Sequence, residues 1–172
     1  RETYTQDYAD EFRPSTSSKD NSVGDRLKIY WQNNFKFVKN NTVTFGMESE
    51  NESAESDFAY YSDWPDYIGK FDQMSIQTTS LYLQDQFRYF NNLFGTIGIR
   101  FDNNEQFGGQ MTYRIAPAYF ISATSTKIKA TYGTGFKAPS LFRLYDPSFG
   151  NTELNPETSR GWDVGVEQFL ID

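Results

Sequence analysis

The residues best suited to contact another molecule lie between Glu52 and Met74, in the stretch ESAESDFAYYSDWPDYIGKFDQM. Six aromatic residues stand there among acids and a single lysine: Phe58, Tyr60, Tyr61, Trp64, Tyr67 and Phe71. A segment this aromatic is not a flexible linker. Tyr and Trp offer large contact areas at low conformational cost, so we predict that the segment folds on itself or presents its rings to a ligand.

A second candidate set lies between Phe136 and Gln168, where Arg143 and Tyr145 are predicted ligand contacts, with Phe149 as a further one. Pro139 has no backbone donor and ends a preceding strand, and two Asx-Pro pairs predict turns. We expect Asn155 to cap a short helical turn beginning at Pro156. Most of this segment therefore has structural roles.

The composition excludes most familiar chemistries. The chain has no His and no Cys, so it offers no disulfide, no Cys/His zinc site, no haem-ligating His and no Ser-His or Cys-His nucleophile pair. Its acids match no calcium-loop spacing. We therefore predict that the chain is not an enzyme and that it binds no cofactor and has no metal site. A net charge of -7 without a basic run also makes nucleic acid an improbable partner.

The length of 172 residues fits one domain, but aromatic residues are 18% of the chain while all hydrophobic residues reach only 37%. No run approaches the roughly 20 apolar residues of a membrane-spanning helix, which leaves membrane-spanning strands open. The chain starts at Arg1 without Met or a signal sequence, as expected of a processed chain or a piece of a longer one.

Alternation with a period of two recurs eight times and predicts eight strands. In the clearest case, residues 26–38, the odd positions from Leu27 to Phe37 are mostly apolar and the even ones from Arg26 to Lys36 are polar. Strong alternation also covers 93–102, 110–121 and 127–136, and weaker alternation covers 1–9, 42–50, 77–90 and 162–171. These strands, of about nine to sixteen residues, exceed the usual length in soluble proteins.

The connections are predicted to alternate between long (10–23, 52–74, 103–109, 137–161) and short (39–41, 91–92, 123–126). In an up-and-down antiparallel sheet, all the short turns then lie at one end, as in outer-membrane barrels. Rings near the short turns resemble a membrane-interface girdle. These are Phe35, Phe37, Phe45, Phe87, Tyr89, Phe94 and Tyr119.

If the apolar faces contact lipid, twelve charged residues point inward, and a wide barrel holding water or a polar plug accommodates them best. They are Arg26, Lys28, Lys36, Glu48, Glu50, Arg88, Arg100, Arg114, Lys127, Lys129, Asp163 and Glu167. Asp85 falls on the apolar side, so it lies near an interface, stands at a bulge or shows a wrong register.

The segment YGTGFKAPSLFRLYDPSFGNTELNPETSRGWDVGVEQ resembles a strand-loop-strand segment of TonB-dependent outer-membrane receptors. The resemblance rests on an aromatic-basic-Ala-Pro element at Phe136–Pro139, a Gly150-Asn151 turn and a Leu-x-Pro-Glu element at Leu154–Glu157. SLYLQDQFRYF, from Ser80 to Phe90, resembles a further barrel strand of that family. The pattern is most similar to its cobalamin-receptor and siderophore-receptor branches.

The resemblance implies an all-β fold, in which residues 1–172 supply about eight strands of an antiparallel transmembrane barrel of about 22 strands. It implies that the receptor takes up a metal chelate: a ferric siderophore, cobalamin or haem. It also implies a plug domain and further barrel strands outside this chain, with the TonB complex and outer-membrane lipid as partners. The implied location is the bacterial outer membrane. The alternative from another class is a soluble all-β carbohydrate-binding module, whose rings stack on sugars and whose apolar face fills a core.

Overall fold

The computed structural model describes residues 2–9, 16–38, 40–63 and 65–170, without the side chains of Phe37 and Val38. Eight strands and one short helix follow one another along the chain. They are β1 (Glu2–Ala9), β2 (Ser17–Val38), β3 (Asn41–Tyr61), β4 (Tyr67–Tyr89), β5 (Leu93–Asn104), β6 (Gly108–Ile121), β7 (Thr126–Lys137), α1 (Leu141–Tyr145) and β8 (Glu157–Gln168). The strands form one sheet in sequence order, which confirms the predicted up-and-down antiparallel topology.

The predicted long connection at 52–74 is wrong. Strand β3 continues to Tyr61 and β4 begins at Tyr67, so only residues 62–66 join them. Similarly, 105–107 joins β5 to β6 and is no longer than the connection 90–92, so long and short connections do not alternate without exception. Strand β3 continues here through residues 52–57, which have no apolar side chain larger than alanine on either side and so carry no hydrophobic alternation to reveal a strand.

The other two long connections also differ from the prediction. Strand β2 begins at Ser17, opposite Ala9, while residues 10–15 lie outside the described part of the chain. Residues 138–156 join β7 to β8, and their helix is α1 rather than a turn capped by Asn155. Glu157 is already paired with Lys137 across the sheet, so the chain after Pro156 is extended and not helical.

The chain divides into two compact units. The first unit consists of Arg1–Lys28, Glu50–Gln77 and Ala138–Pro156, and the second unit of Ile29–Ser49, Thr78–Lys137 and Glu157–Asp172. Among the described residues, the buried apolar side chains are Phe71, Leu141 and Leu144, and all three belong to the first unit. Within the same residues, no helix has the length and apolar composition needed to cross a membrane.

The second unit is a single-layer sheet whose apolar face is uncovered. Ile97 lies opposite Ile115, Ile115 opposite Tyr132, and Tyr132 opposite Trp162, which forms an apolar row across four strands. Ile97 is 49% exposed, and Trp162 is 77% exposed. A soluble sandwich buries such a row against a second layer, and this sheet has none among the described residues. The carbohydrate-binding sandwich is therefore not the fold of this chain.

The opposite face of the sheet carries charges that pair across strands. In the second unit, Arg100 lies 2.8 Å from both Glu48 and Asp102, and Lys127 lies 3.2 Å from Glu167. Ser80 donates to Asp102 at 2.6 Å and is almost completely buried. The predicted inward charges therefore share one face, and many of them are satisfied by one another.

Asp85 lies on the apolar face in regular pairing with Ile97, which excludes a bulge or a register error against β5. Its Oδ2 accepts a hydrogen bond from Asn41 Nδ2 at 3.2 Å, and the same Nδ2 lies 3.1 Å from the Tyr89 hydroxyl. Asn41 is the first residue of β3 and follows the turn residue Asn40, so this polar cluster lies at the short-turn end of the sheet. That position agrees with the membrane-interface interpretation of Asp85.

The predicted girdle needs one correction. Phe94 is paired with Arg88 and Ala118 and lies on the polar face, so it does not contact lipid. Phe87 and Tyr89 do lie on the apolar face, with their ring centroids 5.4 Å apart, and Tyr119 lies there as well.

We expect Ile115→Lys to weaken folding of the full-length protein by about 2–4 kcal/mol, the cost of a charge near a bilayer midplane, because the lysine is placed against lipid. The measurement is the fraction of protein that resists unfolding in detergent and migrates as a folded barrel. Thr131→Lys is the matched control, since Thr131 lies on the polar face opposite Asp163. Equal losses for both variants would contradict the assignment of the faces.

Candidate ligand-binding surface

Aromatic rings gather in the first unit where β3 ends and β4 begins. Phe58 and Tyr67 approach each other with ring centroids 6.1 Å apart. Tyr60, Tyr61 and Tyr67 are 38%, 43% and 42% exposed. Trp64, predicted to belong to the same surface, lies outside the described residues. The aromatic residues predicted from the sequence therefore lie on the β3–β4 hairpin and not on a long loop.

The segment 138–156 is folded by local hydrogen bonds. Ser140 is the N-cap of α1, and its Oγ accepts from the backbone N–H of Arg143 at 3.4 Å. The helix ends at Tyr145, after which the N–H of Asp146 donates to the carbonyl oxygen of Phe142 at 3.0 Å. The hydroxyl cap after Pro139 and the apolar Leu141 and Leu144 at helical spacing were sequence signals for this helix.

A tight turn follows the helix and is centred on Asp146. Its Oδ1 accepts from the backbone N–H groups of Ser148 at 2.8 Å and Phe149 at 3.2 Å. Gly150 N–H donates to the Asp146 carbonyl at 2.7 Å, and a Cβ on Gly150 would collide with the Asp146 backbone. Asn151 N–H then returns to the Arg143 carbonyl at 2.9 Å, which closes the segment on itself.

A small apolar core anchors this segment. Phe71 is only 5% exposed and packs against Phe142 at a centroid distance of 6.2 Å, and Phe142 meets Phe149 edge-on at 5.1 Å. Leu144 is 1% exposed. Phe71 therefore positions other residues and presents little surface to a ligand, whereas Phe149 is 61% exposed. Phe142, the ring that links them, was not predicted from the sequence.

Two further contacts join the hairpin to the segment 138–156. Ser148 Oγ donates to the Tyr67 hydroxyl at 3.2 Å. Gly69 packs so closely on Pro147 that a Cβ there would lie 2.8 Å from the proline Cγ, so only glycine permits this approach. Both predicted segments are therefore parts of one surface.

The other two predicted contacts lie on α1. Arg143 is exposed, and Tyr145 is half-buried and has an interaction partner. The structure thus brings Phe58, Tyr67 and Phe71 together with α1. Tyr60 and Tyr61 stand exposed on the same hairpin.

A recess of about 360 Å³ opens in the first unit beside Ser140 and Phe142. Its charged wall contains Arg26, which contacts Glu52 and lies 3.6 Å from Glu50. Lys28 completes the group at 2.9 Å from Glu50. These two cations and two carboxylates neutralise one another. Glu2 and Asp25 also line the recess, so its wall is acidic on balance and suits a polar ligand without a large negative charge.

The acids of this region do not form a metal site. Among the described residues, no group of three or more His, Cys, Asp or Glu side chains is arranged to hold an ion. Lys70 lies 3.2 Å from Asp72, and this hydrogen bond and charge raise the pKa of the exposed lysine.

A single-layer antiparallel sheet with an uncovered apolar face, a charged opposite face and an aromatic surface in its first unit defines a portion of a transmembrane β-barrel. Residues 1–172 match the family described as TonB dependent receptor-like, beta-barrel, and the chain belongs to that family.

Several proteins with similar sequences are named as transporters. It is 28% identical over 149 residues to the vitamin B12 transporter BtuB of Photobacterium profundum, a match covering 85% of this chain and 23% of that protein. It is 50% identical over 60 residues to the vitamin B12 transporter BtuB of Vibrio cholerae, covering 34% of this chain and 10% of that protein. The chain thus spans about a quarter of the length of the longer match.

Solved structures share the fold. The copper transporter OprC has a TM-score of 0.59 at 12% identity, over 90% of this chain and 28% of that one. The siderophore receptor PirA from Pseudomonas aeruginosa has a TM-score of 0.53 at 14% identity, over 91% of this chain and 46% of that one. These likenesses confirm the barrel architecture.

We expect Leu144→Ala in the full-length receptor to destabilise the segment 138–156 by about 2–5 kcal/mol, because it leaves a cavity beneath α1. Limited proteolysis of intact cells followed by mapping of the cut sites measures this. Phe149→Ala is the control, since removal of an exposed ring leaves no cavity. Unchanged proteolysis of Leu144→Ala would show that the small core does not hold the segment.

Proposed function

We propose that this chain supplies barrel strands and a substrate-contacting surface to an outer-membrane receptor that takes up a metal chelate with the help of the TonB complex. The family match supports the receptor class. The matches to vitamin B12 transporters favour cobalamin among the chelates, with ferric siderophores and haem as competing substrates.

The observation that carries this proposal is a set of exposed rings held by a buried core. Tyr60, Tyr61, Tyr67 and Phe149 are exposed. Phe149 packs on Phe142, which packs on the buried Phe71, and Leu144 is buried in the same unit. Rings fixed in advance lose little entropy when they meet a ligand, so they favour binding of a broad, rigid molecule. Ferric siderophores, cobalamin and haem are molecules of this broad, rigid kind.

Charge helps to choose among the substrates. The chain has a net charge of -7, and the cations of the recess near Ser140 are already paired with Glu50 and Glu52. A strongly anionic siderophore or the carboxylates of haem would meet this acidic surface with little compensation apart from the exposed Arg143. A chelate with an uncharged amide periphery fits better, which agrees with cobalamin.

Transport of this kind requires binding, release and passage but no covalent step. The rings and Arg143 bind and orient the chelate, and the charged pairs of the polar face line the interior of the barrel. The remainder of the receptor supplies the plug and the contact with TonB.

We expect Tyr61→Ala combined with Trp64→Ala in the full-length receptor to lower the affinity for cyanocobalamin by on the order of tenfold to a hundredfold, since exposed rings at binding surfaces contribute strongly. Equilibrium binding of labelled cyanocobalamin to outer membranes measures the change. Tyr119→Ala, which removes a ring of similar exposure from the apolar face, serves as the control.

Unchanged affinity after both replacements would argue against this hairpin as a contact surface. Growth of a deletion strain carrying the wild-type gene, on a panel of cobalamin, haem and ferric siderophore sources, separates the substrates. Growth restored only on an iron source would overturn the choice of cobalamin.

A further inference from the structure

The apolar face of the second unit contains a polar cluster that the functions above do not use. It consists of Asn41, Asp85 and Tyr89 and lies at the short-turn end of the sheet. Asp85 pairs with Ile97, and Leu83 and Ile97 are both exposed on this face. The carboxylate of Asp85 therefore stands among side chains that contact lipid, where an unpaired charge is costly.

The hydrogen bonds of the cluster leave Asp85 only partly satisfied. Asn41 Nδ2 donates to Asp85 Oδ2 at 3.2 Å and to the Tyr89 hydroxyl at 3.1 Å, which uses both hydrogens of the amide. Asp85 Oδ1 is buried and has no hydrogen-bond partner among the described residues. Asn41 is neutral, and Arg88 of the same strand lies on the polar face. Within the described part of the chain, no cation pairs with Asp85.

The Tyr89 hydroxyl is the second group of the cluster with unused capacity. Its oxygen accepts from Asn41, so its own hydrogen can be donated to a further acceptor. The Tyr89 ring packs beside Phe87 at a centroid distance of 5.4 Å, and Phe87 lies so close to Gly95 that a Cβ there would collide with it. Tyr89 is 44% exposed. The cluster thus offers one acceptor and one donor to a group that approaches from the lipid side.

These two capacities are complementary to a zwitterionic lipid headgroup. Phosphatidylethanolamine has a primary ammonium, which donates hydrogen bonds and neutralises a carboxylate, and beside it a phosphate, which accepts them. A metal ion would satisfy Asp85 but would give the Tyr89 hydrogen no acceptor. An anionic lipid without an ammonium would leave the charge of Asp85 unpaired.

We propose that Asn41, Asp85 and Tyr89 bind the headgroup of one ethanolamine phospholipid in the leaflet that meets the short turns. Its ammonium pairs with the Asp85 carboxylate, which turns about its Cβ–Cγ bond to present either oxygen. Its phosphate accepts from the Tyr89 hydroxyl, and its acyl chains continue along exposed side chains such as Ile97. The inference rests on the membrane location in the proposed function but not on the choice of substrate.

Native mass spectrometry tests this site in the full-length protein, released from nanodiscs with equal amounts of phosphatidylethanolamine, phosphatidylcholine and phosphatidylglycerol of identical acyl chains. We expect retention of phosphatidylethanolamine on the order of tenfold above either other lipid, because each of those lacks the charge-assisted hydrogen bond to Asp85. Phosphatidylcholine has the same net charge but no N–H donor, and phosphatidylglycerol has no cation. Equal retention of the three lipids would overturn the proposal, and this comparison requires no variant to fold.

Three variants assign the two contacts. Asp85→Asn keeps the shape of the side chain without its charge and should lower the retention of phosphatidylethanolamine to that of phosphatidylcholine. Asp163→Asn, which removes a carboxylate from the polar face opposite Thr131, should retain as much as the wild type. Tyr89→Phe should lower retention of phosphatidylethanolamine by about threefold, because it removes only the phosphate contact. A preference that persists in Asp85→Asn, or an equal loss in Asp163→Asn, would refute the site, and unchanged retention in Tyr89→Phe would refute the phosphate contact.

Cyanocobalamin binding is measured on the same preparation of the wild-type protein. Preferential retention of phosphatidylethanolamine without cyanocobalamin binding would support the lipid site and refute only the choice of substrate. Cyanocobalamin binding with equal retention of the three lipids would refute the lipid site alone.

Discussion

Within the described part of the chain, no protein layer covers the apolar face of the second unit, and the remaining features depend on this constraint. Ile97, Ile115, Tyr132 and Trp162 form one row and stay exposed, so lipid must supply the contact that a second layer would supply in water. In lipid every backbone donor and acceptor needs a partner, and sequential antiparallel pairing provides one for each strand except at the sheet edges. The remaining strands of a complete barrel would pair those edges.

Because lipid contact replaces a core in the second unit, the buried apolar side chains among the described residues all belong to the first unit. Phe71, Leu141 and Leu144 are buried there, and they fix α1 and the turn at Asp146 against the β3–β4 hairpin. The same packing leaves Tyr61 and Phe149 exposed in defined positions. A rigid aromatic surface thus results from a core of very few residues, which explains why a single cavity at Leu144 is expected to matter.

The polar face follows a different rule, because its charged side chains have one another as partners. Its long charged side chains lie in pairs and groups such as Glu48–Arg100–Asp102, so little of the charge is left unopposed. The recess between Phe94 and Phe120 is the exception to this pattern, with apolar walls and two lysines that share Glu167.

The sequence by itself determined the eight strands, their antiparallel order and the two faces, because alternation is a local property that strand geometry converts directly into opposite sides. It also indicated the rings of Glu52–Met74 as a surface. It misplaced the end of β3 beyond Glu50, since residues 52–57 have no large apolar side chain on either side and therefore show no alternation. Only the tertiary structure decided that Phe71 is buried while Tyr61 is exposed, that Gly69 meets Pro147, and that Phe94 lies among alanines. Each of these depends on contacts between residues distant in the chain, which spacing does not encode.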